Sequence, residues 1–172
     1  TKLYKFPNKV AGCGGDGSIE RIPGQAAFRC VTLDSAELLK QRLTYFASKK
    51  CFDIDGLGPQ IVEVLVDEDL VKSYADIFKL QVNDLIELDR FAEKSANNLI
   101  KAIDESRAIT LPRLLTGLSI DGVGEEVAKL LVKNGFNSID QYYGLSIEML
   151  EEIDGIGPIL ARNIVGWFSS EA

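Results

Sequence analysis

Histidine is absent from the chain, and cysteine is scarce. Without histidine, a Ser-His-Asp or Cys-His catalytic mechanism is excluded, and a zinc site would depend on cysteine or carboxylate ligands. The three cysteines, Cys13, Cys30 and Cys51, are odd in number and widely spaced, unlike the even disulfide framework of a small secreted domain. We therefore expect reduced thiols.

Long apolar runs are also missing from the sequence. No run approaches the roughly 20 residues that span a bilayer, and the first residues carry no hydrophobic segment typical of a signal peptide. We therefore expect a cytoplasmic protein with no membrane partner.

The composition that remains is typical of a soluble globular protein. The chain has 172 residues, of which 46% are hydrophobic and 26% charged, enough for one or two modest cores. Residues 1–50 hold 9 basic and 4 acidic side chains, a net charge of +5, whereas residues 51–172 hold 10 basic and 22 acidic ones, a net charge of −12. The larger part of the chain is therefore not a polycationic DNA-binding surface.

A short glycine pattern repeats along the acidic part of the chain. In three copies an acidic residue precedes two glycines that flank an apolar residue: Asp55-Gly56-Leu57-Gly58, Asp121-Gly122-Val123-Gly124 and Asp154-Gly155-Ile156-Gly157. A degenerate copy, Asp89-Arg90-Phe91-Ala92, lies between the first and second of these, so the copies recur about every 33 residues. This spacing indicates duplication of one structural unit. In each intact copy we expect the apolar residue between the glycines, Leu57, Val123 or Ile156, to fill the core beneath the turn.

The distribution of apolar residues predicts a mainly α fold. Up to about residue 32 the chain is rich in glycine, with short strand candidates at 19–22 and 26–30 that predict a small hairpin knuckle. From Ser35 apolar residues recur at helical spacing, which predicts one helix of about three turns and then a helix, a tight turn and a helix in each repeat. Linking helices are expected at 74–80, 82–88, 111–118, 138–143 and 147–153.

Each glycine turn that enters a helix is a candidate anion site. It leaves backbone N–H groups without partners and aims them, together with the helix dipole, at an external ligand such as phosphate. Glycine can take positive φ, and it lets a sugar-phosphate backbone approach without a Cβ in the way. The candidate DNA-binding residues are Gly56, Gly58, Gly122, Gly124, Gly155, Gly157, Lys94, Lys129 and Arg162, with Lys49, Lys50, Arg90, Arg113 and Lys133 as further basic candidates. The simpler alternative is that each glycine pair only turns the chain between two helices.

The repeats resemble the helix-hairpin-helix motif, and their context is more specific. The segments that run from Leu43 to Lys50, Asp53 to Gly58, Glu93 to Leu99, Leu111 to Leu115 and Gly122 to Glu126 are similar to the bacterial NAD-dependent DNA ligase family. The resemblance covers essentially the whole chain. It implies a degenerate zinc-finger-like knuckle at 1–34, a linking helix at 35–50 and, at 51–172, a four-copy helix-hairpin-helix DNA-binding domain of two paired units.

The resemblance also implies a function. Such a fragment would hold nicked double-stranded DNA without sequence preference, chiefly along the minor groove, while other domains of the same ligase seal the nick during replication and repair. The parent enzyme would use NAD and Mg, whereas this fragment would need no cofactor. It would be inactive alone, and no Lys-x-Asp-Gly nucleophile motif occurs in it.

Two other functional classes compete with this interpretation. A protein-interaction or architectural module that positions other ligase domains is favoured by the acidic balance of residues 51–172 and by the degenerate second hairpin. An independent enzyme has little support, because neither a nucleotide-binding motif nor a catalytic dyad is visible in the sequence.

The N-terminal knuckle departs from the family pattern. Cys13 and Cys30 match the second and third zinc ligands of the family, whereas Val10 and Ser35 stand at the first and fourth positions. Two cysteines do not make a closed tetrahedral site, and Asp16 and Asp34 are the only nearby substitutes. We therefore expect a metal-free remnant without zinc. Its packing is expected from Ile19, Ile22, Phe28 and Leu38, and Cys51 is expected in the core.

Overall fold

The N-terminal part of the chain forms a short antiparallel hairpin. A computed structural model describes residues 7–10, 16–21, 28–30, 35–88 and 91–170. Strand β1 (Ile19–Arg21) pairs with β2 (Phe28–Cys30), and the register places Ile19 opposite Cys30. The predicted hairpin is confirmed where it is described, while Ile22 and residues 26–27 lie outside the described residues.

Helices make up most of the remaining described chain. In order they are α1 (Ser35–Ala47), α2 (Pro59–Asp67), α3 (Tyr74–Ile77), α4 (Val82–Ile86), α5 (Glu93–Glu105), α6 (Leu111–Gly117), α7 (Glu125–Lys133), a 3₁₀ helix (Ile139–Gly144), α8 (Ile147–Glu151) and α9 (Pro158–Ser170). The mainly α fold is confirmed, and a helix follows each glycine pattern. No helix within the described ranges is long and apolar enough to cross a membrane.

Four of the five linking helices are shorter than predicted, and the fifth is shifted by one residue. Helix α3 ends at Ile77 because the N–H groups of Phe78 and Lys79 bond carbonyls only three residues back, which tightens the chain into a 3₁₀-like turn. The helix predicted at 138–143 is the 3₁₀ helix and begins one residue later, because Ser138 precedes it as a cap whose hydroxyl oxygen accepts a hydrogen bond from the N–H of Asp140 at 3.4 Å. Local capping therefore decides these boundaries.

A first core lies among α1 to α5. Leu43 and Phe46 of α1 are buried together with Val62 of α2 and Leu99 of α5. The ring of Phe46 stacks on that of Phe52, with 3.9 Å between the centroids. Helix α1, predicted as a linking helix, is thus part of the packing of the first helix-hairpin-helix unit.

A second core lies among α6 to α9. Leu115 of α6, Leu131 of α7 and Phe168 of α9 are buried in it with Tyr142 of the 3₁₀ helix. The Tyr142 hydroxyl donates to the carbonyl of Phe136 at 3.1 Å, and burial raises the pKa of Tyr142 to about 12. The two cores confirm the predicted organisation in two tandem units.

The two units are in direct contact through α1 and α6. A Cβ added at Gly117 would lie 3.3 Å from a ring carbon of Phe46 and 3.4 Å from the Cβ of Cys51. Any other residue at position 117 would therefore require these neighbours to shift, so glycine favours the close approach. In addition, the guanidinium of Arg113 donates to the carbonyl of Lys49 at 2.8 Å. These contacts hold the hairpins of both units on one framework.

Candidate nucleic-acid interface

All four hairpins share one backbone turn. The apolar residue at the centre donates its N–H to the carbonyl three residues earlier, in the pairs Leu57 to Ile54, Phe91 to Leu88, Val123 to Ile120 and Ile156 to Ile153, at 2.9–3.2 Å. The carbonyl of the next residue accepts from the N–H four residues later, in the pairs Gly58 and Val62, Ala92 and Ala96, Gly124 and Ala128, and Gly157 and Ala161. The degenerate copy is thus equivalent to the three intact ones in these hydrogen bonds.

The apolar residue between the two glycines anchors each intact hairpin. Leu57, Val123 and Ile156 are 4%, 6% and 5% exposed, respectively, as the sequence predicts for residues that fill the core beneath the turn. At the equivalent place in the second hairpin Phe91 is only partly buried. The anchoring is therefore weaker in the degenerate copy.

The first glycine of each intact copy is required by the backbone. Gly56, Gly122 and Gly155 have φ values of 84°, 82° and 98°, a region that other L residues enter at a cost of roughly 1–2 kcal/mol. A Cβ at Gly122 would also lie 3.0 Å from Cδ1 of Leu160. The fold alone therefore accounts for these three glycines.

The second glycine of each intact copy is not required by the fold. Gly58 and Gly124 have φ values of −83° and −99°, which any residue adopts. A Cβ added at Gly58, Gly124 or Gly157 would meet no atom within 4 Å. In the degenerate copy Ala92 occupies this place with φ −91°. Without a Cβ at these positions, a partner molecule can approach the backbone closely from outside.

The N–H groups at these second positions differ between copies. The N–H groups of Gly58, Gly124 and Gly157 donate no hydrogen bond to any described residue. In the degenerate copy the N–H of Ala92 already donates to Oγ of Ser95 at 3.0 Å. The intact copies therefore present free, exposed N–H donors at helix N-termini. In the second hairpin the equivalent N–H already forms a capping hydrogen bond and is not available to a ligand.

The predicted basic residues have unequal electrostatic surroundings. The Lys129 ammonium contacts the carboxylates of Glu125 and Glu126 at 2.6 and 3.4 Å. Hydrogen bonding to Glu125 raises the pKa of Lys129, and Lys129 in turn lowers the pKa of Glu125. The third hairpin thus carries a cation that its own acids partly neutralise.

Lys94 and Arg162 lie beside the second and fourth hairpins without such neutralisation. Both side chains are exposed, and within the described part of the chain neither forms an ion pair. Nε of Arg162 donates to the carbonyl of Pro158 at 3.0 Å, which holds the guanidinium near the start of α9. Arg162 therefore places a cation near the start of α9, the helix that begins directly after Gly157.

The further basic candidates fall into different places. Arg113 uses a guanidinium N–H to join the two units, as described above. Lys49 and Lys50 are exposed in the turn after α1, and Lys133 is the last residue of α7, two turns beyond its hairpin. Arg90 lies outside the described residues.

One contact across the second unit was missed from the sequence. The amide nitrogen of Asn163 in α9 donates to the carbonyl of Asp121 at 3.1 Å. Helix α9 thereby steadies the third hairpin as well as following the fourth. Asparagine on a polar helix face gives no sequence signal for such a contact, because its partner is a backbone atom 42 residues away.

The knuckle differs from its prediction in two respects. Cys30 is disulfide-bonded and only Cys51, buried as predicted, is a free cysteine among the described residues, so the expectation of reduced thiols is wrong for Cys30. An antiparallel hairpin brings distant residues into bonding reach, which sequence spacing alone does not reveal. Phe28 is 38% exposed, so its side chain is less buried than predicted.

These residues do not fit a closed zinc site. Val10 has no donor atom in its side chain, and a disulfide-bonded Cys30 has no thiolate to give a metal. Cys13 lies outside the described residues, as does the side chain of Ser35. The described residues contain no group of three potential metal ligands.

Comparison with known proteins points to the same interpretation. Residues 51–105 match the family model of the SAM-like helix-hairpin-helix tandem, and residues 113–172 match that of the helix-hairpin-helix motif. The chain is 40% identical over 163 residues to a DNA ligase of Syntrophomonas wolfei and 42% identical over 168 residues to one of Desulfosudis oleivorans. A DNA ligase of Ligilactobacillus salivarius is 38% identical over 168 residues.

These matches cover 95–98% of the chain. The chain spans about a quarter of the length of each of these relatives, namely 24%, 24% and 25%. The repeated turns, the two cores and the matched ranges agree in position along the sequence. The chain therefore belongs to the helix-hairpin-helix proteins and is a helix-hairpin-helix region of the DNA ligase family.

Proposed function

We propose that this region holds nicked double-stranded DNA for a ligase by gripping the sugar-phosphate backbone without sequence preference. The observation that carries the proposal is the second glycine of each intact hairpin. A Cβ at Gly58, Gly124 or Gly157 would meet no atom within 4 Å, and the φ values of Gly58 and Gly124 suit any residue. Each of the three glycines presents a free N–H at a helix start. Backbone donors of this kind contact phosphate and carry no information about base identity.

The energetics allow such binding despite a net charge of −7. A hydrogen bond to a charged phosphate contributes about 1.5–3 kcal/mol, and the helix dipole adds about 0.3–1 kcal/mol per site. Acidic side chains more than about 8 Å from the phosphate are largely screened at physiological salt. Since α1 and α6 hold the two units together, several hairpins can contact one duplex at the same time.

The role of the region within a complete ligase is part of the proposal. NAD and Mg would serve the nucleotide chemistry in other domains of the same cytoplasmic enzyme, in DNA replication and repair. This region would supply no catalytic group, because it contains no Lys-x-Asp-Gly nucleophile motif. Its partners would be the nicked duplex and those other domains.

Titration of a labelled nicked duplex with the chain, repeated over a series of salt concentrations, tests the proposal. Phosphate contacts predict that the logarithm of the affinity falls linearly with the logarithm of the salt concentration. Gly157→Glu should weaken binding about tenfold or more, since it places a carboxylate where the phosphate would lie. Gly166→Glu is the matched control, because Gly166 lies in the same helix α9 with open space around its Cβ position.

Absence of measurable DNA binding at low salt would refute the proposal for this chain. Equal weakening by Gly157→Glu and Gly166→Glu would refute the hairpin as the contact, because the added charge alone would then explain the loss. Circular dichroism of both variants should show unchanged helix content.

The alternative role as an architectural module is favoured by one observation. The first turn of α7 carries Glu125 and Glu126, and carboxylates there compete with phosphate for the helix N-terminus. If the hairpins only position neighbouring domains, the chain should bind another ligase domain with an affinity independent of salt and should not bind DNA.

We also propose that the knuckle holds no zinc. The support is chemical: Val10 offers no ligand atom, and the sulfur of Cys30 is already bonded. Elemental analysis of the purified chain should find less than a tenth of an equivalent of zinc, roughly the level of adventitious metal. One equivalent that survives dialysis would contradict this proposal.

A further inference from the structure

The packing of the second unit does not explain why position 159 carries an isoleucine. It is the second residue of α9, two positions after Gly157, and its side chain is 65% exposed, the highest value among the large hydrophobic side chains of the described residues. The next residue, Leu160, packs against the second core. A single exposed isoleucine is common on protein surfaces, so its position on the hairpin is what matters.

The shared hydrogen bonds identify the residues equivalent to Ile159 in the other copies. Each lies two positions after the residue whose carbonyl accepts the first helical bond, and the three equivalents are Gln60, Lys94 and Glu126. All three are polar or charged and exposed. At this position the fourth hairpin is therefore the one that presents an apolar side chain, whereas the other three present a polar or charged one.

The surroundings of Ile159 restrict what it can contact. Gly157 precedes Ile159 by two residues, and Arg162 follows it by three, so Arg162 lies on the same face of the first turns of α9. The first turn contains no acidic residue, in contrast to α7. If Gly157 holds a phosphate, the adjacent sugar of that strand would therefore lie next to an apolar side chain.

We propose that Ile159 packs against a deoxyribose of the bound strand and makes the fourth hairpin selective for DNA over RNA. This inference rests on the proposed function of the hairpins. The deoxyribose presents C–H groups between successive phosphates, which an isoleucine can cover. A ribose would place its 2′-hydroxyl there, and burying that hydroxyl against an aliphatic side chain without a hydrogen bond is unfavourable.

The experiment compares Ile159→Gln with the wild-type chain on two labelled duplexes, one all DNA and one with a single RNA strand. Glutamine occurs naturally at the equivalent position of the first hairpin, so the variant should fold. Ile159→Gln should weaken binding to DNA about fivefold, from the loss of partly buried apolar surface. It should also reduce the preference for DNA over the hybrid and leave the salt dependence unchanged, because no phosphate contact is lost.

Met149→Gln is the matched control. Met149 is 48% exposed on α8 of the same unit, and its replacement should change neither affinity nor selectivity. Unfolding midpoints of both variants in urea should equal that of the wild-type chain.

Three results would overturn the inference. If Gly157→Glu weakens DNA binding but Ile159→Gln does not, the hairpin binds phosphate and Ile159 has no part in it. If Ile159→Gln lowers the salt slope together with the affinity, the effect is on phosphate contacts. If the wild-type chain does not bind DNA at low salt, both this inference and the proposed function fail.

Discussion

Replacement by alanine should affect stability at only one of the two glycines of the third hairpin. Gly122 has φ 82°, and a Cβ there would lie 3.0 Å from Cδ1 of Leu160. Gly124 has φ −99° and no atom within 4 Å of a Cβ position. Gly122→Ala is therefore expected to destabilise the chain, and Gly124→Ala to leave its stability nearly unchanged.

The magnitudes follow from the backbone and the packing. Forcing alanine into the left-handed region at position 122 costs roughly 1–2 kcal/mol, and displacing the methyl of Leu160 adds to this, for a total of about 2 kcal/mol. Gly124 is the residue that precedes α7, a position that favours glycine over alanine, so Gly124→Ala lowers the free energy of unfolding by about 0.5 kcal/mol. It regains about 0.4–1 kcal/mol because the unfolded chain has less freedom than with glycine.

Thermal and urea unfolding of the whole chain, followed by far-UV circular dichroism, measures both effects. Gly122→Ala should lower the melting temperature by roughly 4–8 °C, whereas Gly124→Ala should shift it by about 2 °C or less. Equal destabilisation by the two substitutions would refute the reasoning, since it would mean that the second glycine is also required by the fold. Ala92 at the equivalent place argues against that outcome.

Three further predictions concern charged side chains. The ammonium of Lys79 is the largest cause that lowers the pKa of Asp76 to about 2. Because this value lies below the ordinary 3.8, the stabilisation is present above that pH and is lost as the pH falls toward 2, so Asp76→Asn should cost about 1 kcal/mol at neutral pH and almost nothing near pH 2. Glu125→Gln should tighten DNA binding about two- to fourfold, because it removes the 2.6 Å ion pair of Lys129. Arg162→Ala should weaken binding equally for all sequences and reduce the salt slope by about 1.

Urea unfolding against pH and anisotropy titrations against salt test these three predictions. A stability loss for Asp76→Asn that is the same at all pH values would contradict the role of its charge. Unchanged or weaker DNA binding by Glu125→Gln would show that Lys129 is not limited by its ion pairs. A salt slope unchanged by Arg162→Ala would remove that guanidinium from the phosphate contacts.

Sequence reasoning was most successful where the signal was local and repeated. The three glycine turns, their degenerate copy and the apolar residues between the glycines are visible in the sequence, and the structure confirms that Leu57, Val123 and Ile156 are buried. Helix ends were predicted less well, as at Ile77, because turns that follow a helix depend on individual hydrogen bonds. The packing of α1 into the first core was missed, since an amphipathic pattern does not name its partner.

The sequence by itself determined the fold class, the repeat and the positions of the candidate hairpins, because spacing along the chain is a local property. Only the tertiary structure separated Gly122 from Gly124, which look alike in sequence, since backbone φ and the space around a Cβ depend on surrounding atoms. It also decided that Lys129 is paired with Glu125 and Glu126, whereas Arg162 forms no ion pair with any residue that the structure describes. Whether an N–H group is free and whether a charged side chain is unpaired depend on its neighbours in space, which cannot be read from the order of residues.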